Sequence, residues 1–230
     1  RNCNRIANAK FTINGVEYQL EANDNENSLH SGSNGTSERF WNVISCTDQM
    51  ITLQIEDADL QQGYPGNAVI QVTYEVTEDN GLAITYHAKA DKDTVFNFTN
   101  HAYINLNGHA SGSVLDQTLQ IKASHFTPVK DGKAIPTGEL ADVEGTPFDF
   151  RIAKPIGRDI NAENDQLKYG SGYDHNFALD HTGNGVEKVA TAYAPESGIQ
   201  MEVYTDCPGM QFYSANFIRG QKGKGGVIYK

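Results

Sequence analysis

Two histidines stand eight residues apart in "FTNHAYINLNGHASG", residues 98–112, among small and amide side chains rather than core residues. An imidazole titrates near pH ~6.5 and can give and retake a proton at neutral pH. His101 therefore has four readings: metal ligand, proton carrier, sugar contact or satisfied structural histidine. Four other polar clusters accompany it. "NRIANAKF" holds Asn4 and Arg5, and "NENSLHSGSNG" holds His30. "GSGYDHNFALD" sets Asp174 and His175 between a glycine turn and a strand-like run, and "CPGMQFYSANF" places Gln211 after a Pro-Gly turn. Each also has a plain structural reading. An Arg among apolar residues commonly pairs with a carboxylate, a loop His is commonly solvated, and an Asp in a turn commonly caps it.

Several chemistries lack the residues they need. His101 and His109 are not at the i, i+4 spacing of a helical metal site, and the other histidines are scattered. No Ser sits in a GxSxG elbow, no Cys neighbours a His usefully, and no Gly-rich phosphate loop is present. Against 29 Asp plus Glu the chain has 18 Lys plus Arg, a net charge of −11. That charge repels nucleic-acid backbones and gives no help with an anionic substrate. No apolar run approaches the roughly 20 residues of a membrane span. His, Asn, Asp, Gln and Tyr on a β scaffold suit a neutral polyol, with amides and carboxylates meeting hydroxyls and aromatic faces covering C–H surfaces.

Period-two alternation dominates the elements that must hold these groups. "KFTINGVEYQL" reads as a hairpin around Asn14-Gly15. "AVIQVTYEV" and "LAITYHAKA" read as a second hairpin around "TEDNG". Further strands are expected in "ITLQIE", "TVFNFTNHAYINL", "LDQTLQIKA", "HNFALD", "KVATAYA", "IQMEVYTD" and "MQFYSANF", and short helices only in "AKPIGRDI" and "AENDQLKYG". With 230 residues, no repeat and no linker, the reading is one all-β domain over 1–230, a large antiparallel β-sandwich. Cys3, Cys46 and Cys207 form no CxxC pair and read as reduced packing residues, a usage leaning to the cytoplasm. The opening "RNCNRI" and closing "GGVIYK" read as cut ends, so the domain is expected to be incomplete at both termini.

Taken in order, "NRIANAKFTINGVEYQL", "NSLHSG", "FNFTNHAYINLNGH", "FTPVKDGKAIPTGELADVEGTPFDFR", "GYDHNFAL" and "PGMQFYSANF" resemble the aldose 1-epimerase (galactose mutarotase) family along nearly the whole chain. The resemblance implies a galactose mutarotase-like supersandwich that interconverts the α and β anomers of free hexoses in an open cleft, with no metal or other cofactor. It implies that His101 is the general acid, that His30 and Asp174 act on the sugar beside it, and that Asn4, Arg5, Tyr103 and Gln211 line the same cleft. It further implies that His101 ends a strand and that the neighbouring amides shape the site. His87, His109, His125, His175 and His181 are left structural or peripheral.

The family's general base is a Glu in a Leu-Glu-Thr-Gln-like motif beyond the "PGMQFY" segment, and this sequence has no such motif. Glu196 and Glu202 precede Gln211 and do not match it. The leading expectation is a mutarotase for galactose or glucose, monomer or homodimer. The alternatives are a carbohydrate-binding β-sandwich without turnover and a hexose-6-phosphate 1-epimerase, the latter disfavoured by the acidic charge.

Overall fold

Alternating side chains over Met50–Asp57, Ala68–Val76 and Leu82–Ala90 give each run one face to bury, and in the computed structural model these runs zip into an antiparallel meander. Asn42–Cys46 adds the fourth, edge strand. The structure describes residues 1–229, which divide into two compact units, one from Arg1 to His101 and one from Ala102 onward.

In the first unit Ile55 and Ile70 lie opposite one another in register and are buried, with Ala88, Trp41, Phe96 and Phe98 packed against them. The other face is polar: Gln71 donates to Gln54 at 2.8 Å, and the Thr52 and Thr73 hydroxyls meet at 3.0 Å. The hairpin Lys10–Ile13 and Val16–Gln19 turns at Asn14 (φ 51°) and Gly15 (φ 77°), the positive dihedrals that a two-residue hairpin of this hand requires. Arg1 binds the unit together. Its buried guanidinium holds Asp57 at 2.6 Å and donates to the carbonyls of Asp57, Pro65 and Gly66, while Arg39 takes the other Asp57 oxygen. A buried charge is tolerable when its donors are filled in this way.

The second unit is a sandwich in its own right. One sheet contains His125–Phe126, Asp174–Ala178 and Gly209–Tyr213; the other contains Thr118–Ile121, Glu187–Tyr193 and Gln200–Thr205. Leu119, Ile121, Ala190 and Ala192 of the second sheet and Phe126 and Phe177 of the first share one core with Phe148 and Phe150. Lys154 lies inside this unit with its ammonium on the Pro147 carbonyl (2.6 Å) and Asp159 (2.7 Å), 4.3 Å from the Phe150 ring centre.

The expected helix in "AENDQLKYG" is Asp165–Gly170, begun by Asn164, whose side chain accepts from the amides of Gln166 and Leu167. The "AKPIGRDI" helix is only a 3-10 turn at Ile156–Arg158. The strand expected in "TVFNFTNHAYINL" does not form, because no strand among the described residues supplies it with a ladder. Only Asn97 is bridged, to Asn2, through Cys3 N–H to Asn97 O (2.8 Å) and Asn97 N–H to Arg1 O (2.9 Å). His101 therefore ends an extended, irregular segment rather than a strand. None of the three cysteines is in a disulfide, and Cys46 and Cys207 are exposed rather than packed. Among the described residues no helix is long and apolar enough to cross a membrane.

Candidate active site

The first unit gathers Asn4, Arg5, His30 and His101. Arg5–Ile6 pairs with Ser28–Leu29, placing Arg5 opposite Leu29 and His30 one residue beyond. Asn4 then leaves the ladder in the left-handed region (φ 58°), and His30, Ser31 and Gly32 follow with φ of 51°, 66° and 84°. These turns bring the Asn4 amide onto His30 Nδ1 at 3.1 Å. The His30 and His101 rings meet edge to face, their centres 5.3 Å apart at 71°. Burial first, and then the charges of His101 and Arg5, push the His30 pKa below the ordinary histidine value. Arg5 does pair with a carboxylate: its Nε donates to Asp24 at 2.7 Å, with both side chains largely covered. Its NH1 reaches Asn4 Oδ1 at 3.4 Å.

The second unit gathers Tyr103, Asp174 and Gln211. The helix Asp165–Gly170 stops at Ser171 (φ 53°) and Gly172 (φ 130°), and Tyr173 turns the chain into the strand that starts at Asp174. Asp174 lies opposite Tyr213, and Asn176 lies opposite Gln211. By strand alternation all four side chains share one face, while His175 and Phe177 point into the core. Gln211 Nε2 donates to Asp174 Oδ1 at 2.7 Å. Tyr103 and Tyr213 meet edge to face at 5.9 Å, and burial, with Asp174 nearby, raises the pKa of both phenols. Tyr213 and Asn176 lie inside quoted motifs but were not singled out; alternation from Asp174 and Gln211 would have marked them.

Four of the other histidines have contacts of their own. His175 is buried among Phe126 and Phe148, accepts the Asp174 amide at Nδ1 (3.2 Å), and is pushed by burial to a pKa of about 4. His109 meets the Tyr229 hydroxyl, His125 pairs with Asp142, and His181 contacts the Cys207 carbonyl. Asn105 builds a turn: its side chain accepts from Asn107 N–H and Gln117 and donates to the Gly112 carbonyl. Among the described residues no three His, Cys, Asp or Glu side chains converge as a metal-ligating group.

Fold and clusters together define an antiparallel β-sandwich protein whose half-buried polar groups are edged by aromatic rings. The sequence profile of the family described as aldose 1-epimerase matches residues 1–228, and the chain belongs to that family. It is 40% identical over 229 residues to the aldose 1-epimerase of Escherichia coli and 40% identical over 233 residues to human galactose mutarotase. Both alignments take in all of this chain and 65% of the relative, so the chain spans just under two thirds of their length. Among solved structures, the aldose epimerase homologue from C. elegans superposes with a TM-score of 0.89 at 30% identity, covering 100% of this chain and 68% of the other. The galactose 1-epimerase of Lactobacillus acidophilus gives 0.84 at 31% identity, covering 96% and 64%.

Proposed function

We propose that the chain carries the hexose site of an aldose 1-epimerase acting on a free hexose such as galactose or glucose. The observation that carries the assignment of the acid is the pairing of His101 with His30. Burial keeps His30 neutral at physiological pH, and its Nδ1 is occupied by the Asn4 amide. His30 is thus a fixed Nε2–H donor for a sugar hydroxyl, and the proton-carrying role falls to His101.

In the reaction His101 protonates the ring oxygen while a base takes the C1 hydroxyl proton. The C1–O bond to the ring breaks, C1 becomes an aldehyde, and rotation about C1–C2 presents its other face. Closure reverses both transfers and forms the other anomer. In the first unit Arg5, steadied by Asp24, donates to sugar hydroxyls; in the second, Asp174 and Gln211 offer groups that hold hydroxyls and Tyr103 a ring face for C–H surface. The exposed thiols of Cys46 and Cys207 support a reducing, cytoplasmic location as part of the same proposal. The second reading is sugar binding without turnover.

Polarimetry of freshly dissolved α-D-galactose tests this, comparing the chain, its His101→Ala variant and buffer. A rate above spontaneous drift for the parent alone is expected. A variant as fast as the parent would overturn the acid. A parent that binds galactose but follows the drift would establish the second reading.

A further inference from the structure

Asn176 stands out among the half-buried polar groups of the second unit. Its strand is interior to the sheet: the Asn176 carbonyl accepts from Thr127 N–H (2.9 Å) on one side, and the strand pairs with Gly209–Tyr213 on the other. The side chain is therefore presented by a rigid backbone. It lies opposite Gln211 and on the face that carries Asp174. Yet its carboxamide makes no hydrogen bond to any described residue, although the amides of Gln211, Asn216 and Asn105 are all engaged. Leaving a half-covered amide without a protein partner has a cost unless something else supplies the bonds.

The neighbouring strand leaves it room. A Cβ placed on Gly209 would lie 2.5 Å from Asn176 Oδ1 and 3.2 Å from Nδ2, so the amide occupies the space that any side chain at 209 would fill. Gly209 has no positive φ to explain it, so its role is to clear that space. A carboxamide both donates and accepts, matching a sugar hydroxyl, which does the same.

We propose that Asn176 is a further specificity-determining residue, reading one ring hydroxyl beside Asp174 and Gln211, with Gly209 keeping its amide in place. This rests on the hexose-site reading above. A site built to bond a hydroxyl rejects the analogue lacking it, because its polar group is then left unpaired.

The test is a binding cycle on the 230-residue chain, titrating galactose and its monodeoxy analogues into the parent, Asn176→Ala and Gly209→Ala, with folding checked by near-UV circular dichroism. The parent should lose about tenfold in affinity for one deoxy position. Asn176→Ala should bind galactose about tenfold more weakly and no longer distinguish that position. Gly209→Ala, which displaces only the movable end of Asn176, should reproduce this. If Asn176→Ala fails to fold, Asn176→Ser runs the same cycle. Variants that keep the parent's deoxy profile would overturn the assignment while leaving the hexose site standing. A parent that binds no hexose would overturn both.

Discussion

Asn4 and His30 are clasped in both directions: the Asn4 N–H donates to His30 Nδ1 at 3.1 Å, and the His30 N–H donates to the Asn4 carbonyl at 3.0 Å. Both residues hold positive φ, 58° and 51°, a conformation that Asn adopts more readily than most residues. The clasp consumes the Nδ1 lone pair, so the neutral ring must carry its proton on Nε2.

Nitrogen-15 spectra of the imidazoles should therefore show His30 as the Nε2–H tautomer at neutral pH. Its titration midpoint should fall below that of an ordinary histidine, since burial disfavours the cation. A protonated Nδ1, or a midpoint above the ordinary value, would contradict the role given to His30.

Asp24 holds Arg5 at Nε and leaves its NH2 without a partner among the described residues. Asp24→Asn keeps the shape of the side chain and removes the charge that orients the guanidinium. Hexose affinity should fall by about five- to tenfold with little change in the melting temperature. Affinity equal to the parent's would show that Arg5 needs no such support.

Much of this architecture could be read from side-chain patterns, and the failures share causes. Asn14-Gly15 announced its hairpin because only a few residues tolerate both turn dihedrals, and Ala68–Val76 with Leu82–Ala90 alternates along its full length. Asn42–Cys46 went unread because all five residues are exposed and no buried face imposes a period. "TVFNFTNHAYINL" has strand-forming residues without a strand to pair with, a fact that local sequence cannot carry. The polar residues named as site candidates form one cluster in each unit, and their supports were hidden. That Arg5 would take a carboxylate was foreseeable; that it would be Asp24, nineteen residues on, was not. Nothing in "AKPIG" signals that Lys154 is buried, because its partners are the Pro147 carbonyl and Asp159.

His175 makes stability depend on pH in a defined window. Its folded pKa is about 4 against 6.5 for an exposed histidine, so the unfolded chain binds the proton more readily. Stability attributable to this group is unaffected above pH 6.5, falls as pH drops from 6.5 to about 4, and levels off below that. The total loss is on the order of 3 kcal/mol. Denaturant unfolding at several pH values should show this slope in the parent and a flatter one in His175→Phe, which fills the volume without titrating. Parallel profiles would mean that the ring is reached by solvent in the folded state.

Gly172 is the turn on which Asp174 depends. Its φ of 130° is closed to residues with a Cβ, and a Cβ there would lie 2.6 Å from Asn216 Oδ1 and 2.9 Å from its Cγ. Asn216 cannot move aside cheaply, because its Nδ2 donates to the carbonyls of Gly170 (2.8 Å) and Tyr173 (3.0 Å), and its Oδ1 accepts from Ser214. Gly172→Ala should therefore lower unfolding free energy by about 2–4 kcal/mol. The harmless-looking Gly209→Ala provides the contrast, since no positive φ and only a flexible side-chain end stand in its way. If both variants melt within a degree of the parent, the Gly172 turn is not what holds the start of the Asp174 strand.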